Sequence, residues 1–225
     1  MSSKLLKATI VSFTLAISSV ANAGLIYSNG AVDLENFGGW FSDTDGSNWQ
    51  VYDDFSLSSA NSIASIDFWG SFWSSGAFEG DLAFSVNVYG DSGGVDLGNF
   101  IGTSTLSVFS QTDTGEDHNN NGTADIYKFS ADLDSMINIG DTDSYWISVF
   151  ATSGTDSTAF TWQEVSDTGN ATQWDGSVFN ARNVTTAFDL YDQARSENSV
   201  DIPEPPVLYL MVLGLAGMVS RRLRS

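Results

Sequence analysis

The sequence predicts an all-β fold, a jelly-roll-like antiparallel β-sandwich, and three observations carry that prediction. Short runs of alternating apolar and polar residues recur along the chain. Clusters of Gly, Ser, Thr, Asn and Asp separate them, and no amphipathic helical period appears between the two ends. Proline is absent from Gly24 to Ile202, and aromatic residues, which favour strands, make up 13% of the chain.

In chain order, strands are expected at 49–57, 63–73, 82–89, 99–109, 125–131, 145–150, 159–165 and 184–191. The clearest alternation is Leu82, Phe84, Val86 and Val88 against Ala83, Ser85, Asn87 and Tyr89. A second sets Tyr145, Ile147 and Val149 against Trp146, Ser148 and Phe150. Turn signals stand at Asp91-Ser92-Gly93-Gly94, Asn120-Asn121-Gly122, Ser153-Gly154 and Asp175-Gly176. Strands this short and this regularly spaced read as a sandwich or jelly roll.

Four segments are expected: a signal peptide at 1–23, the β-sandwich at 24–192, a polar linker at 193–202 and a C-terminal signal at 203–225. Lys4 and Lys7 precede a mostly apolar run from Ala8 to Val20, too short for an ordinary membrane span. Ala21-Asn22-Ala23 then offers the small residues that signal peptidase accepts, so cleavage is expected to leave Gly24 first. At the other end, Pro203-Glu204-Pro205-Pro206 is followed by an uncharged stretch over 207–220 and the cluster Arg221, Arg222 and Arg224. At about 1.5 Å per residue that stretch reaches only about 21 Å, against roughly 30 Å of hydrocarbon. The arginines favour the cytoplasmic side, which leaves the domain outside.

This tail resembles the PEP-CTERM sorting signal of Gram-negative bacteria that make exopolysaccharide. The resemblance implies recognition of Pro203, Glu204 and Pro205 by an exosortase. It also implies a precursor held transiently in the inner membrane, and a mature domain delivered to the cell surface or extracellular matrix. A second resemblance runs through Val51-Tyr52-Asp53-Asp54-Phe55, Ile66-Asp67-Phe68-Trp69-Gly70, Phe84 to Tyr89, Tyr127 to Leu133, Tyr145 to Val149 and Ala187 to Tyr191. These segments look like extracellular β-sandwich domains common in PEP-CTERM proteins, a likeness that implies the fold and carries no known active site.

Between Gly24 and Ile202 only Lys128, Arg182 and Arg195 oppose 27 acidic residues. So negative a domain repels nucleic acid and anionic lipid and attracts divalent cations. The chain has no cysteine, which removes thiol nucleophiles, thiolate metal sites and disulfides. The single histidine, His118, lies in a polar loop that suits no catalytic relay.

The sharpest local pattern is Asp117, Asn119, Asn121, Gly122 and Asp125, which follows the first nine positions of a calcium loop. Asp117, Asn119, Asn121, the Thr123 carbonyl and Asp125 are the expected Ca2+ ligands. Lys128 stands where an EF-hand needs glutamate, so the loop is a shorter variant or a plain Asx-rich hairpin. The chain also has seven tryptophans. Trp69 and Trp73 share a strand face opposite Phe68 and Phe72, and are the candidate rings for stacking on sugars; most of the others are expected in the core. The expected role is a non-enzymatic, structural or carbohydrate-binding one in exopolysaccharide or biofilm. The alternative is a secreted carbohydrate-active hydrolase using paired carboxylates.

Overall fold

The computed structural model describes residues 24–32, 38–44, 48–59, 61–72, 83–93, 97–117, 124–140, 144–153, 159–166 and 168–195. The expected cleavage and sorting motifs, the span 207–220, His118, Trp73 and most of the calcium-type loop lie outside these residues.

The described chain is all β and antiparallel in its strand pairing. Its strands are β1 (Leu25–Ser28), β2 (Gly39–Phe41), β3 (Gln50–Ser56), β4 (Asn61–Phe72), β5 (Ala83–Asp91), β6 (Leu97–Asp117) and β7 (Asp125–Ile139). They continue as β8 (Ser144–Ser153), β9 (Phe160–Ser166), β10 (Thr172–Trp174), β11 (Phe179–Ala181), β12 (Thr185–Thr186) and β13 (Phe188–Tyr191). The main path of the sheet runs β1-β13-β4-β7-β6-β5-β8-β3-β10-β11, and β9 joins β4 to β2 and β12.

This sheet curls on itself. Phe84 of β5 lies three positions along the sheet from β4, yet its ring centroid is 5.1 Å from that of Phe68. Phe129 of β7 and Phe160 of β9 complete the group, each within 5.3 Å of Phe84. The circuit then closes through the backbone after β2. Ser42 N donates to Phe160 O at 2.9 Å, while Thr44 N donates to Ala151 O at 3.1 Å and Ala151 N to Ser42 O at 3.0 Å. Gly70 is where β4 pairs with both β7 and β9. A Cβ at that position would lie 2.0 Å from the Phe160 ring, so only glycine admits the ring there.

Burial follows the alternation. Val51 and Phe55 in β3, Phe84, Val86 and Val88 in β5, and Ile147 and Val149 in β8 all face the core. The central strand β4 is buried on both faces, its second face packing Trp69 with Val32, Ile126 and Ala187. This agrees with the two aromatic faces expected for 63–73.

Three differences from expectation have physical causes. β6 and β7 run on to Asp117 and Ile139, well past 109 and 131. The extra β6 length is mostly exposed and is sustained by pairing along β7 rather than by burial. β1, β2, β10 and β11 were not expected, because three or four residues are too few to display a period. Contacts also continue past 192 into the expected linker, since Ser65 Oγ donates to Gln193 O at 2.9 Å and Arg195 closes the folded unit.

Candidate functional site

The alternation that sends Val51, Val88 and Ile147 inward sends Tyr52, Tyr89 and Trp146 to the outer face of the same strands. In register, Asp54 stands beside Trp146, Trp146 beside Tyr89, and Tyr89 beside Phe100. The rings touch from strand to strand. Phe100 meets Tyr89 at 5.3 Å, Tyr89 meets Tyr52 at 5.9 Å, Tyr52 meets Phe179 at 5.8 Å and Phe179 meets Trp174 at 4.9 Å. Most of these contacts are edge-on, which holds successive rings at different tilts.

Exposure varies along this band. Trp146 and Tyr52 are buried and form its floor, Tyr89, Phe179 and Trp174 are half-buried, and Phe100 is 56% exposed. Polar groups are interleaved with the rings. Trp146 Nε1 donates to Asp91 Oδ1 at 3.4 Å, Tyr52 Oη donates to Gln50, and Asn170 Nδ2 donates to Asp54 Oδ2 at 3.3 Å. Burial pushes the Tyr52 and Tyr89 phenols up, so both stay neutral donors near pH 7. Beside the band, at the ends of β5, β6 and β8, an open cleft of about 430 Å³ is lined by Gly90, Asp91, Asn99, Ile101, Ser144 and Tyr145. Partly exposed rings with carboxylates and amides between them can stack on the C–H face of a sugar and bond its hydroxyls.

Two carboxylates lie away from this face and are almost fully buried. Asp53 accepts Thr186 N at 2.6 Å, Thr186 Oγ1 at 2.9 Å and Asn29 Nδ2 at 3.2 Å. Burial pushes its carboxyl up to about 7, against the pull of the Thr186 bonds. Asp67 instead gathers Lys128 Nζ at 2.8 Å and the Arg195 guanidinium through both of its oxygens. Burial would raise its carboxyl as well, but the bonds from Arg195, Lys128 and Ser130 outweigh burial and hold it below the ordinary value.

The residues singled out in the sequence fall elsewhere. Trp69 is only 7% exposed, and Lys128 Nζ sits 5.0 Å from its ring centroid, so the indole packs in an inner layer instead of forming an open platform. Asp117 and Asp125 are brought face to face in register at the base of the β6–β7 hairpin. Among the described residues no group of three or more His, Cys, Asp or Glu could hold a metal. The aromatic band was legible only in part: Tyr52, Tyr89 and Trp146 alternate outward, but Phe100, Trp174 and Phe179 join them through pairings that the sequence does not display. No family model matches the chain, and no curated protein matches it.

Proposed function

We propose that the chain is an exported protein, handed by its PEP-CTERM-like tail to an exosortase and delivered to the cell surface or exopolysaccharide matrix. There its jelly-roll-like sandwich binds polysaccharide without cleaving it. The observation that carries the binding role is the unbroken aromatic band from Phe100 to Trp174 on the outer face. Charge narrows the ligand. Asp54 and Asp91 border the band in a domain of 27 acidic residues and three basic ones, so polyuronates are repelled while neutral or amine-bearing polymers are accepted. Calcium at the β6–β7 hairpin is part of the same proposal. Two carboxylates opposed in register suit one hard cation, and the ion would brace the hairpin while offsetting charge.

The test mixes the exported, processed protein with a neutral glucan, a polyglucosamine and a polyuronate, in calcium and in chelator. Co-sedimentation and polymer length are both followed. Retention on the first two polymers is expected, without shortening. Tyr89→Ala and Phe100→Ala are each expected to weaken retention about tenfold, equivalent to roughly 1.4 kcal/mol. Shortened polymer would establish the hydrolase alternative instead. Equal retention by the parent and both variants would remove the aromatic band from the account.

A further inference from the structure

Gly24, the first residue expected after signal-peptide removal, lies directly before β1 and bonds to the residue that follows β13. Its backbone N donates to Asp192 Oδ1 at 2.7 Å, and Asp192 N donates back to Gly24 O at 3.1 Å. This pair adds one step to the β1–β13 ladder beyond Leu25 and Tyr191. The approach is close: a Cβ at 24 would stand 3.1 and 3.2 Å from the two carboxylate oxygens, so a larger residue would push the Asp192 side chain back by a few tenths of an ångström.

While the leader is attached, the donor at Gly24 is a neutral peptide N–H. Cleavage after Ala23 converts the same nitrogen into an α-ammonium with three donors, a full charge and an ordinary pKa of about 7.7–8.0. We propose that Asp192 is the acceptor site for the α-ammonium of Gly24, so that leader removal itself creates the ion pair fastening edge strand β1 to β13. The proposal rests on the expected cut after Ala23.

The surroundings favour the charged amine. Asp189, which accepts Ser28 Oγ, lies on β13 and Asp192 directly after it, while Asp67 of β4, next in the sheet, is already paired with Arg195 and Lys128. Tyr27 on β1 and Tyr191 on β13 are pushed up to about 12 and stay neutral through the relevant range. Asp53, near 7, titrates partly within it and is cancelled by comparing variants. An amine whose pKa is raised by its partner contributes stability that is full below the unfolded value and lost as pH rises through the folded one.

To test this, the full chain is expressed with its leader in an exporting Gram-negative host, and the processed protein is recovered and its N-terminus sequenced. The comparison set is the parent, Asp192→Asn, and a chain with one alanine inserted between Ala23 and Gly24. Melting is followed from pH 7 to 9.5, together with trimming by an aminopeptidase. The parent should begin at Gly24 and lose about 2–4 °C more in Tm over that range than either variant. It should also be trimmed several-fold more slowly. A chain that begins at Gly24 yet melts and is trimmed like both variants would overturn the ion pair alone. A different first residue would overturn the cut site and, with it, the proposal.

Discussion

Asp53 and Asp67 are each 1% exposed, and the chain treats them in opposite ways. Asp67 receives two of the three cations present between Gly24 and Ile202; Asp53 receives none and is held by Thr186 and Asn29. A buried carboxylate either keeps its charge against a counter-charge or, where hydrogen-bond donors only partly offset burial, takes up a proton near neutral pH. The first solution fixes the charge and the second lets it go. In a domain with so few basic residues, the choice shows which junction must hold under all conditions. That junction is where β4, β7, β13 and the C-terminal end of the folded unit meet.

The largest expected effect is removal of the fixed charge. Asp67→Asn leaves Arg195 and Lys128 without their shared partner, and urea unfolding should show a loss toward the upper end of roughly 3–5 kcal/mol. An unfolding curve indistinguishable from the parent would mean that the two cations simply turn to solvent.

Asp53 should give a comparable swing, but in pH. Its carboxyl is raised from 3.8 to about 7 in the folded state, so its contribution is full below the unfolded value and is lost as pH rises to 7. The loss between pH 4 and pH 7 should be on the order of 4 kcal/mol at most. Relief of general repulsion in acid has the same sign, so Asp53→Asn is the control. The pH slope should flatten in that variant, and an unchanged slope would assign it to the surface acids. Asp67 responds in reverse: its lowered carboxyl contributes above the unfolded value, and that contribution is lost only as pH falls through its still lower folded value.

The smallest effects separate the two cations. Arg195→Ala should cost about 2 kcal/mol, because the guanidinium also donates to Ser65 Oγ at 3.1 Å and lies 3.7 Å from the Tyr191 ring. Lys128→Ala should stay within about 1 kcal/mol, since its side chain is 38% exposed. Amide exchange along β13 should quicken in the first variant alone. Equal exchange in both would move the anchoring role from Arg195 to the pair as a whole.

How much of this was readable in advance depends on what each feature rests on. Strands that bury one face, such as β5 with Phe84, Val86 and Val88, show their period in the sequence, and so does the doubly buried β4. The outer half of β6, from Ser107 to Asp117, has no apolar stripe; its partner defines it, and a partner is not a local property. Continuation of β7 was visible in Leu133, Ile137 and Ile139, but Asp132, Asp134 and Ser135 resemble a turn. The Asp67 cluster joins positions 67, 128 and 195, and the scarcity of cations was the one hint that those present would be committed. The aromatic band was half readable, because its Phe100, Trp174 and Phe179 are placed by a bulged ladder and by short strands.

The closed backbone circuit through Ser42 and Ala151 also bears on behaviour in a crowded setting. A sheet with long open borders is a template on which a second copy can add strands, and dense packing outside a cell encourages such growth. Among the described residues the main path ends in β11, of three residues, and β1, of four, and its side branch through β9 ends in β2 and β12, of three and two. Ends so brief give a neighbouring chain little to pair with; the longer border is the outer half of β6, which among the described residues pairs with β7 alone. Strand addition by a second copy is therefore disfavoured at the ends of the path and confined to the exposed outer half of β6.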